Sequence, residues 1–144
     1  MQYWDTATLA KLYVKEPDSA QFSAHMVATG PVTTSELARW ELFRVLARKE
    51  ADGLIPSGAA EALFASFMAD AAAGEVQLVP MSSPLEVRFQ QLLLRLYRLS
   101  PPLLVRTLDG IQLATADLHG ADALVTTDSH MRKCAAAMGL TLYP

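Results

Sequence analysis

The chain has 144 residues, of which 51% are hydrophobic and 19% are charged, and its formal net charge is −3. That composition excludes an intrinsically disordered chain, and no apolar run reaches the roughly 18 residues that a membrane-spanning helix needs. A chain of this length is expected to form one domain, residues 1–144, that buries about 70% of its extended surface.

The N-terminal residues do not resemble a secretory signal. The segment MQYWDTATLAKLY lacks a basic region followed by an apolar run, and the acidic Asp5 stands near its start. We therefore expect a cytoplasmic protein. The single cysteine, Cys134, and three scattered histidines lack the spacing of a zinc site, so Cys134 is expected to be a small core residue.

Short apolar segments alternate with helical patterns along the whole chain. In order, the patterns predict a strand at 1–4, helices at 6–14 and 19–28, a strand at 31–34, helices at 35–52 and 58–73, a strand at 76–80, a helix from 83 that ends before Pro101, a helix that begins near Asp109 and ends at Gly120, a strand at 123–126, a helix at 129–138 and a strand at 140–143. Such alternation predicts an α/β fold with parallel strands and right-handed crossovers.

Glu41 interrupts the apolar stripe of the predicted helix at 35–52. On a helical wheel it shares a narrow face with Leu37 and Val45. An inward-facing carboxylate costs free energy unless it is paired, protonated or bound to a metal ion. The sequence leaves two explanations open, a metal site and a buried ion pair with Arg44 or Arg48.

Three further carboxylates occupy positions where a parallel sheet would gather side chains. Asp5 follows the first strand, Asp128 follows the strand at 123–126, and Asp109 lies in the first turn of a helix. Ligands of open α/β sheets bind at the carboxyl ends of the strands. Taken singly, Asp5 and Asp128 are also explained as helix caps and Asp109 as a partner of the helix dipole.

Together with Glu41, these carboxylates would repel one another strongly in one cavity, and a hard divalent cation removes that penalty. Mg²⁺ or Mn²⁺ is the natural candidate, and such a site can activate water for phosphodiester hydrolysis. If four of the 15 acidic residues hold a cation, 11 remain against 12 Lys and Arg, so the net charge does not exclude a nucleic-acid partner.

Four segments, in this order and spacing, resemble the PIN-domain ribonucleases, particularly the VapC-type toxins of toxin–antitoxin pairs. They are MQYWDTATLAKLY, TSELARWELFRVLAR, RTLDGIQLATADLHGADALVTTD and the alanine-rich helix that follows. The resemblance implies a three-layer α/β/α fold with a central parallel sheet of four to five short strands. It also implies an endoribonuclease that depends on Mg²⁺ or Mn²⁺ and is inhibited by a small antitoxin.

Matched by motif, the family's acidic quartet falls on Asp5, Glu41, Asp109 and Asp128, with Thr6 and Thr127 as polar neighbours. Two positions depart from the family. Ala7 stands where a serine is frequent, and Gly110 stands where alanine is usual. The resemblance therefore implies an intact ligand set, and Gly110 is expected to loosen the first turn of its helix by up to about 1 kcal/mol relative to alanine.

Contacts with substrate and partners are also predicted. The candidates for RNA phosphate contacts are Arg44, Arg48, Arg106 and Arg132, although solvated faces or ion pairs explain them equally well. An antitoxin groove or a homodimer seam could be lined by Trp40, Leu42, Phe43 and the face from Phe64 to Met68, although core packing is the commoner role of such residues.

Two other functions fit part of the sequence. A non-catalytic module would bind a partner through its apolar helices, and its carboxylates would only cap helices. An aspartyl-phosphate phosphatase would use Asp5 as the nucleophile, but the second acidic residue of that motif is missing because position 7 is alanine.

Overall fold

The computed structural model describes residues 1–144 and contains five strands and seven helices. In chain order they are β1 (Gln2–Trp4), α1 (Thr6–Ala10), α2 (Ser19–Thr29), β2 (Val32–Ser35), α3 (Ala38–Ala51), α4 (Ala59–Ala73), β3 (Val76–Val79), α5 (Ser83–Tyr97), α6 (Thr107–Leu118), β4 (Ala123–Val125), α7 (Ser129–Met138) and β5 (Thr141–Tyr143). None of the helices combines the length and the apolar character needed to cross a lipid bilayer.

The strands form one parallel sheet in the order β3-β2-β1-β4-β5. The chain leaves β1 toward β2 and β3, and later places β4 on the other side of β1, so the strand order reverses at the β1–β4 pair. Trp4 pairs with Val125 in that register. A cleft outside the carboxyl ends of β1 and β4 follows from this reversal, and ligands of open α/β folds bind at such a point.

Side chains that alternate along the strands build two cores, one on each face of the sheet. Tyr3 and Leu124 belong to one cluster, and the next residues, Trp4 and Val125, belong to the other. Helices α1 to α4 cover the Trp4 face, while α5, α6 and α7 cover the Tyr3 face. The predicted three-layer α/β/α sandwich with a parallel sheet is confirmed, and Cys134 is a core residue as expected.

Two predicted helix boundaries were wrong. Ser35 does not open a helix, because it pairs with Val79 as the last residue of β2 and its amide donates to the Tyr3 hydroxyl at 2.9 Å. The first helix ends at Ala10 rather than residue 14, since the chain then tightens into turns in which amides bond carbonyls three residues earlier.

Gly110 packs closely against α5, which explains a position that the sequence presented only as a weak point in α6. A Cβ atom at Gly110 would lie 2.8 Å from Cε2 of Phe89 and 3.3 Å from Cδ1 of Leu93. Such a distance is shorter than a van der Waals contact. The glycine therefore allows α6 to approach α5, and the approach holds the first turn of α6, with Asp109, at the rim of the sheet.

Candidate active site

The four predicted carboxylates lie at one end of the sheet and line a single cavity of about 210 Å³. Asp5 directly follows β1 and is the N-cap residue of α1. Asp128 follows β4 after a short loop and is the N-cap residue of α7. Glu41 and Asp109 lie in the first turns of α3 and α6. Four segments distant in sequence thus deliver one carboxylate each to the same place.

Asp5 is the most buried of the four, with 3% of its surface exposed. Its Oδ1 accepts hydrogen bonds from the backbone amide and the hydroxyl of Thr8, both at 2.7 Å, and its Oδ2 accepts one from the Thr126 hydroxyl. Burial raises the pKa of Asp5 and the charge of Asp128 raises it further, while these hydrogen bonds oppose the rise. Asp5 caps α1, as the simpler explanation predicted, but it also borders the cavity.

Glu41 is half-buried and has no arginine partner. Its Oε2 accepts hydrogen bonds from the Thr6 hydroxyl and from Nε2 of Gln112, both at 2.5 Å. Burial raises its pKa, and the negative charges of Asp109 and Asp5 add to that effect. The alternative of a buried ion pair with Arg44 or Arg48 was wrong, because neither guanidinium forms a salt bridge with Glu41.

Asp109 and Asp128 complete the ring of carboxylates. Oδ2 of Asp109 accepts a hydrogen bond from Nε of Arg106 at 2.9 Å. Oδ1 of Asp128 accepts one from the amide of Met131 at 2.8 Å, which is an N-cap contact. The second oxygen of Asp128 has no protein donor, so this side chain keeps free acceptor capacity beside Asp5.

Three neutral side chains that the sequence did not single out organise these carboxylates. Thr8 and Thr126 donate hydrogen bonds to Asp5, and the Thr126 hydroxyl oxygen also accepts a hydrogen bond from the backbone amide of Asp128 at 3.1 Å. Gln112 donates to Glu41 and, at 3.1 Å, to the Thr6 hydroxyl. Its Oε1 accepts the hydroxyl of Tyr3, so a hydrogen-bonded chain runs from the sheet to the cavity.

Local spacing offered a signal for two of these three residues. Thr8 is three residues after an N-cap aspartate, where the cap accepts backbone hydrogen bonds. Gln112 is three residues after Asp109, on the same side of α6. The predicted polar neighbour Thr6 does line the cavity, but Thr127 does not and is exposed, because Thr126 takes the position toward Asp5.

The structure divides the four predicted arginines into two pairs. Arg44 and Arg106 line the cavity. Arg48 lies outside it and pairs with Asp52 at 2.8 Å. Arg132 also lies outside it, and its Nη1 donates to the Thr126 carbonyl at 3.0 Å. Only the first pair is therefore placed to meet a ligand in the cavity.

The donor set of the cavity suits a hard divalent cation. Four carboxylates face a small space, and only Asp109 has a salt-bridge partner. Oxygen ligands of this kind bind Mg²⁺ and Mn²⁺, which also keep water in their coordination spheres. No three His, Cys, Asp or Glu side chains approach one another as a ready-made cage. The cavity therefore fits an ion that is held by a few carboxylates and by water or substrate oxygens.

Known proteins resemble this chain in both sequence and fold. Ribonuclease VapC46 of Mycobacterium tuberculosis is 30% identical over 142 residues, which are 97% of this chain and 94% of that protein. The crystal structure of FitAcB from Neisseria gonorrhoeae contains a chain that is 16% identical and superimposes with a TM-score of 0.73, covering 100% of this chain and 97% of that one.

Two further crystal structures share the fold with a TM-score of 0.69. One is Mycobacterium tuberculosis VapC20, described as a toxin that cleaves the sarcin-ricin loop, at 18% identity over 98% of this chain and 97% of that one. The other is VapBC2 from Rickettsia felis bound to a DNA fragment from its promoter, at 15% identity over 99% of this chain and 98% of that one.

The family model of the PIN domain matches residues 3–137, a span that includes all four carboxylates and every strand except β5 and the first residue of β1. The fold, the identity with VapC46 and this match agree with one another. The chain therefore belongs to the PIN-domain family and is a homologue of the VapC ribonucleases.

Proposed function

We propose that residues 1–144 form one domain that hydrolyses RNA phosphodiester bonds as a VapC-type endoribonuclease dependent on Mg²⁺ or Mn²⁺. The observation that carries this proposal is the convergence of Asp5, Glu41, Asp109 and Asp128 on one cavity with a single compensating arginine contact. The relationship to Ribonuclease VapC46 supports RNA as the substrate. An RNA substrate is also the reason to place the protein in the cytoplasm.

We assign a role to each carboxylate. Asp5, Glu41 and Asp109 would be the main metal ligands, and Asp128, with its free oxygen, would support the site directly or through water. A divalent cation held in this cavity would polarise the phosphate as a Lewis acid and lower the pKa of nearby water. Thr8, Thr126 and Gln112 keep the carboxylate oxygens oriented, and this fixed orientation lowers the reorganisation needed for catalysis.

Two arginines supply positive charge beside the carboxylates. Arg44 follows Glu41 by three residues on α3, and Arg106 immediately precedes α6. A guanidinium presents a planar set of donors that matches phosphate oxygens. We assign Arg44 and Arg106 to the RNA phosphate and leave out Arg48 and Arg132, because only the first two line the carboxylate cavity.

The nuclease proposal is tested by neutralising carboxylates inside and outside the cavity. Asp5→Asn and Asp109→Asn should abolish metal-dependent cleavage of single-stranded RNA. Asp117→Asn is the matched control, because Asp117 is on the same helix as Asp109 but pairs with Arg88 at 3.3 Å outside the cavity. Cleavage by Asp5→Asn at the wild-type rate would refute the assignment.

Manganese calorimetry separates the nuclease from a non-catalytic interaction module. Binding of Mn²⁺ that is lost in Asp5→Asn supports a metal site, whereas a folded wild-type protein that binds no Mn²⁺ favours the module. The phosphatase alternative is disfavoured because Ala7 stands where that motif needs its second acidic residue.

We also propose an antitoxin partner and a homodimer. The resemblance to VapC-type toxins implies the antitoxin, and the shared fold with VapBC2 is consistent with it. Light scattering on the purified chain tests the dimer, since one copy has a mass of 15.6 kDa. Co-expression with the product of the neighbouring gene tests the antitoxin, and a complex that suppresses RNA cleavage is the expected result.

A further inference from the structure

Beside the carboxylate cavity lies a second cavity of about 620 Å³, which we call the aromatic groove. It is lined by Arg39, Trp40, Phe43, Arg44 and Phe64. Arg44 lines both cavities, so the groove adjoins the carboxylate site. A nucleotide strand that leaves the carboxylate cavity past Arg44 would reach the aromatic groove.

The aromatic groove presents flat apolar rings to solvent. Trp40 is 61% exposed and Phe43 is 42% exposed, although large aromatic side chains are usually well buried. Phe43 packs edge to face on Phe64 of α4, with ring centroids 5.3 Å apart, so this contact fixes the position of the Phe43 ring. Trp40 has no aromatic neighbour, and its ring remains free to stack on a ligand.

The charge of the aromatic groove is entirely positive. Neither Arg39 nor Arg44 forms a salt bridge, and no carboxylate lines the groove. Trp40 and Arg44, like Arg39 and Phe43, are four residues apart on α3, so rings and guanidinium groups form adjacent rows on the helix surface. Exposed rings flanked by unpaired arginines are the combination that binds single-stranded nucleic acid, through base stacking and phosphate contacts.

We propose that the aromatic groove binds the nucleotide adjacent to the cleaved phosphate, with its base stacked on Trp40 and its phosphate held by Arg39 and Arg44. This inference rests on the proposed ribonuclease function, since it extends the RNA strand from the carboxylate cavity into the groove. A site built on stacking accepts every base and requires an unpaired strand, because a paired base has no free face to offer. Trp40 thus selects for single-stranded RNA around the cleavage point.

A third cavity also adjoins the carboxylate cavity. It is lined by Leu104, Val105, Arg106, Asp109 and His130, and it shares Arg106 and Asp109 with the carboxylate cavity. The carboxylate cavity therefore has a neighbouring cavity beside Arg44 and another beside Arg106 and Asp109. An extended strand that spans all three cavities would place one phosphate at the carboxylates and a nucleotide on each side.

The test measures binding of a fluorescently labelled single-stranded RNA in Ca²⁺, with the RNA checked on a gel for integrity. Trp40→Ala should weaken binding about tenfold, which is within the range for loss of one stacked base. Trp40→Phe should restore most of the affinity. Leu94→Ala is the matched control, because Leu94 is 52% exposed but lies on α5, on the other face of the sheet. The affinity of this variant for RNA should equal that of the wild type.

Intrinsic fluorescence reports the stacking directly. Trp4 is 1% exposed and Trp40 is 61% exposed, so quenching by added RNA should come from Trp40 and disappear in Trp40→Phe. Arg39→Ala should make the dependence of log affinity on log salt shallower by about 0.7, the value for one phosphate contact on a single strand. The exposed Arg98, which has no salt bridge, provides the control Arg98→Ala, whose salt dependence should be unchanged.

Two outcomes would overturn the groove proposal: no binding of RNA by the wild type, and equal affinity of Trp40→Ala and wild type. If Trp40→Ala keeps its RNA affinity but no longer forms a dimer or an antitoxin complex, the groove is a protein interface. If RNA binds through Trp40 but is not cleaved with Mg²⁺ or Mn²⁺, the ribonuclease proposal fails, and the groove is a single-strand binding site with no cleavage point beside it.

Discussion

Replacing Gln112 with methionine tests whether a buried amide orients the carboxylate of Glu41. Gln112 is 2% exposed, and its Nε2 donates to Oε2 of Glu41 at 2.5 Å and to the Thr6 hydroxyl at 3.1 Å. Its Oε1 accepts the hydroxyl of the fully buried Tyr3. Methionine has a side chain of similar length but provides no amide donor or acceptor.

The cost of Gln112→Met follows from the hydrogen bonds that it removes. A buried donor left without a partner, here the Tyr3 hydroxyl, costs about 1–3 kcal/mol, and a hydrogen bond to a charged group such as Glu41 contributes about 1.5–3 kcal/mol. We expect the free energy of unfolding to fall by about 3 kcal/mol. For a domain of this size, that loss lowers Tm by roughly 10 °C.

The same substitution should change activity in a pH-dependent way. The amide of Gln112 lowers the pKa of Glu41, against the effect of burial. Its removal therefore raises that pKa further, so the acid limb of the rate profile should move to higher pH. A purely structural role of Gln112 would lower stability without moving this limb.

A double-mutant cycle with Tyr3→Phe isolates the buried contact. Removing the Tyr3 hydroxyl should cost about 1–2 kcal/mol less in the Gln112→Met background than in the wild type, since its acceptor is already gone. Gln91→Met, at an exposed position of α5, is the control and should change stability by at most about 0.5 kcal/mol. If Gln112→Met has the Tm of the wild type and the coupling energy with Tyr3→Phe is near zero, the Gln112 amide does not have this stabilising role.

Three further predictions concern the carboxylates and α6. Because the pKa values of Asp5 and Glu41 are raised, the native state holds their protons to a higher pH than the unfolded state does. In the metal-free protein, the free energy of unfolding should therefore fall as the pH rises from the pKa values of the unfolded state through the raised pKa values of the native state. A Tm that stays constant across this pH range would contradict the prediction. Thr126→Val should weaken Mn²⁺ binding in calorimetry because Asp5 loses a donor, whereas Thr126→Ser should preserve it. Gly110→Ala should lower the free energy of unfolding by about 1–3 kcal/mol, because the added methyl group overpacks against Phe89 and this outweighs alanine's better helix propensity. In chemical denaturation, a second substitution, Phe89→Leu, should restore part of the lost stability.

The sequence alone predicted the α/β class, the order of the elements and the four carboxylates. These features follow from local patterns, because hydrophobic periodicity reveals strands and helices, and residues directly after parallel strands meet at one edge of the sheet. Glu41 was identifiable because a carboxylate within an apolar stripe needs a partner. The resemblance to PIN-domain proteins then gave these four positions a common chemistry.

Only the tertiary structure decided which neutral side chains orient the carboxylates. Thr126 and Thr127 look equivalent in the sequence, but successive side chains in extended backbone point to opposite sides, and the register of β1 and β4 turns Thr126 toward Asp5. Gly110 looked like a weak point in α6 until the approach of Phe89 explained it. Such contacts join residues as much as 121 positions apart, as for Asp5 and Thr126, so packing decides them and local pattern does not.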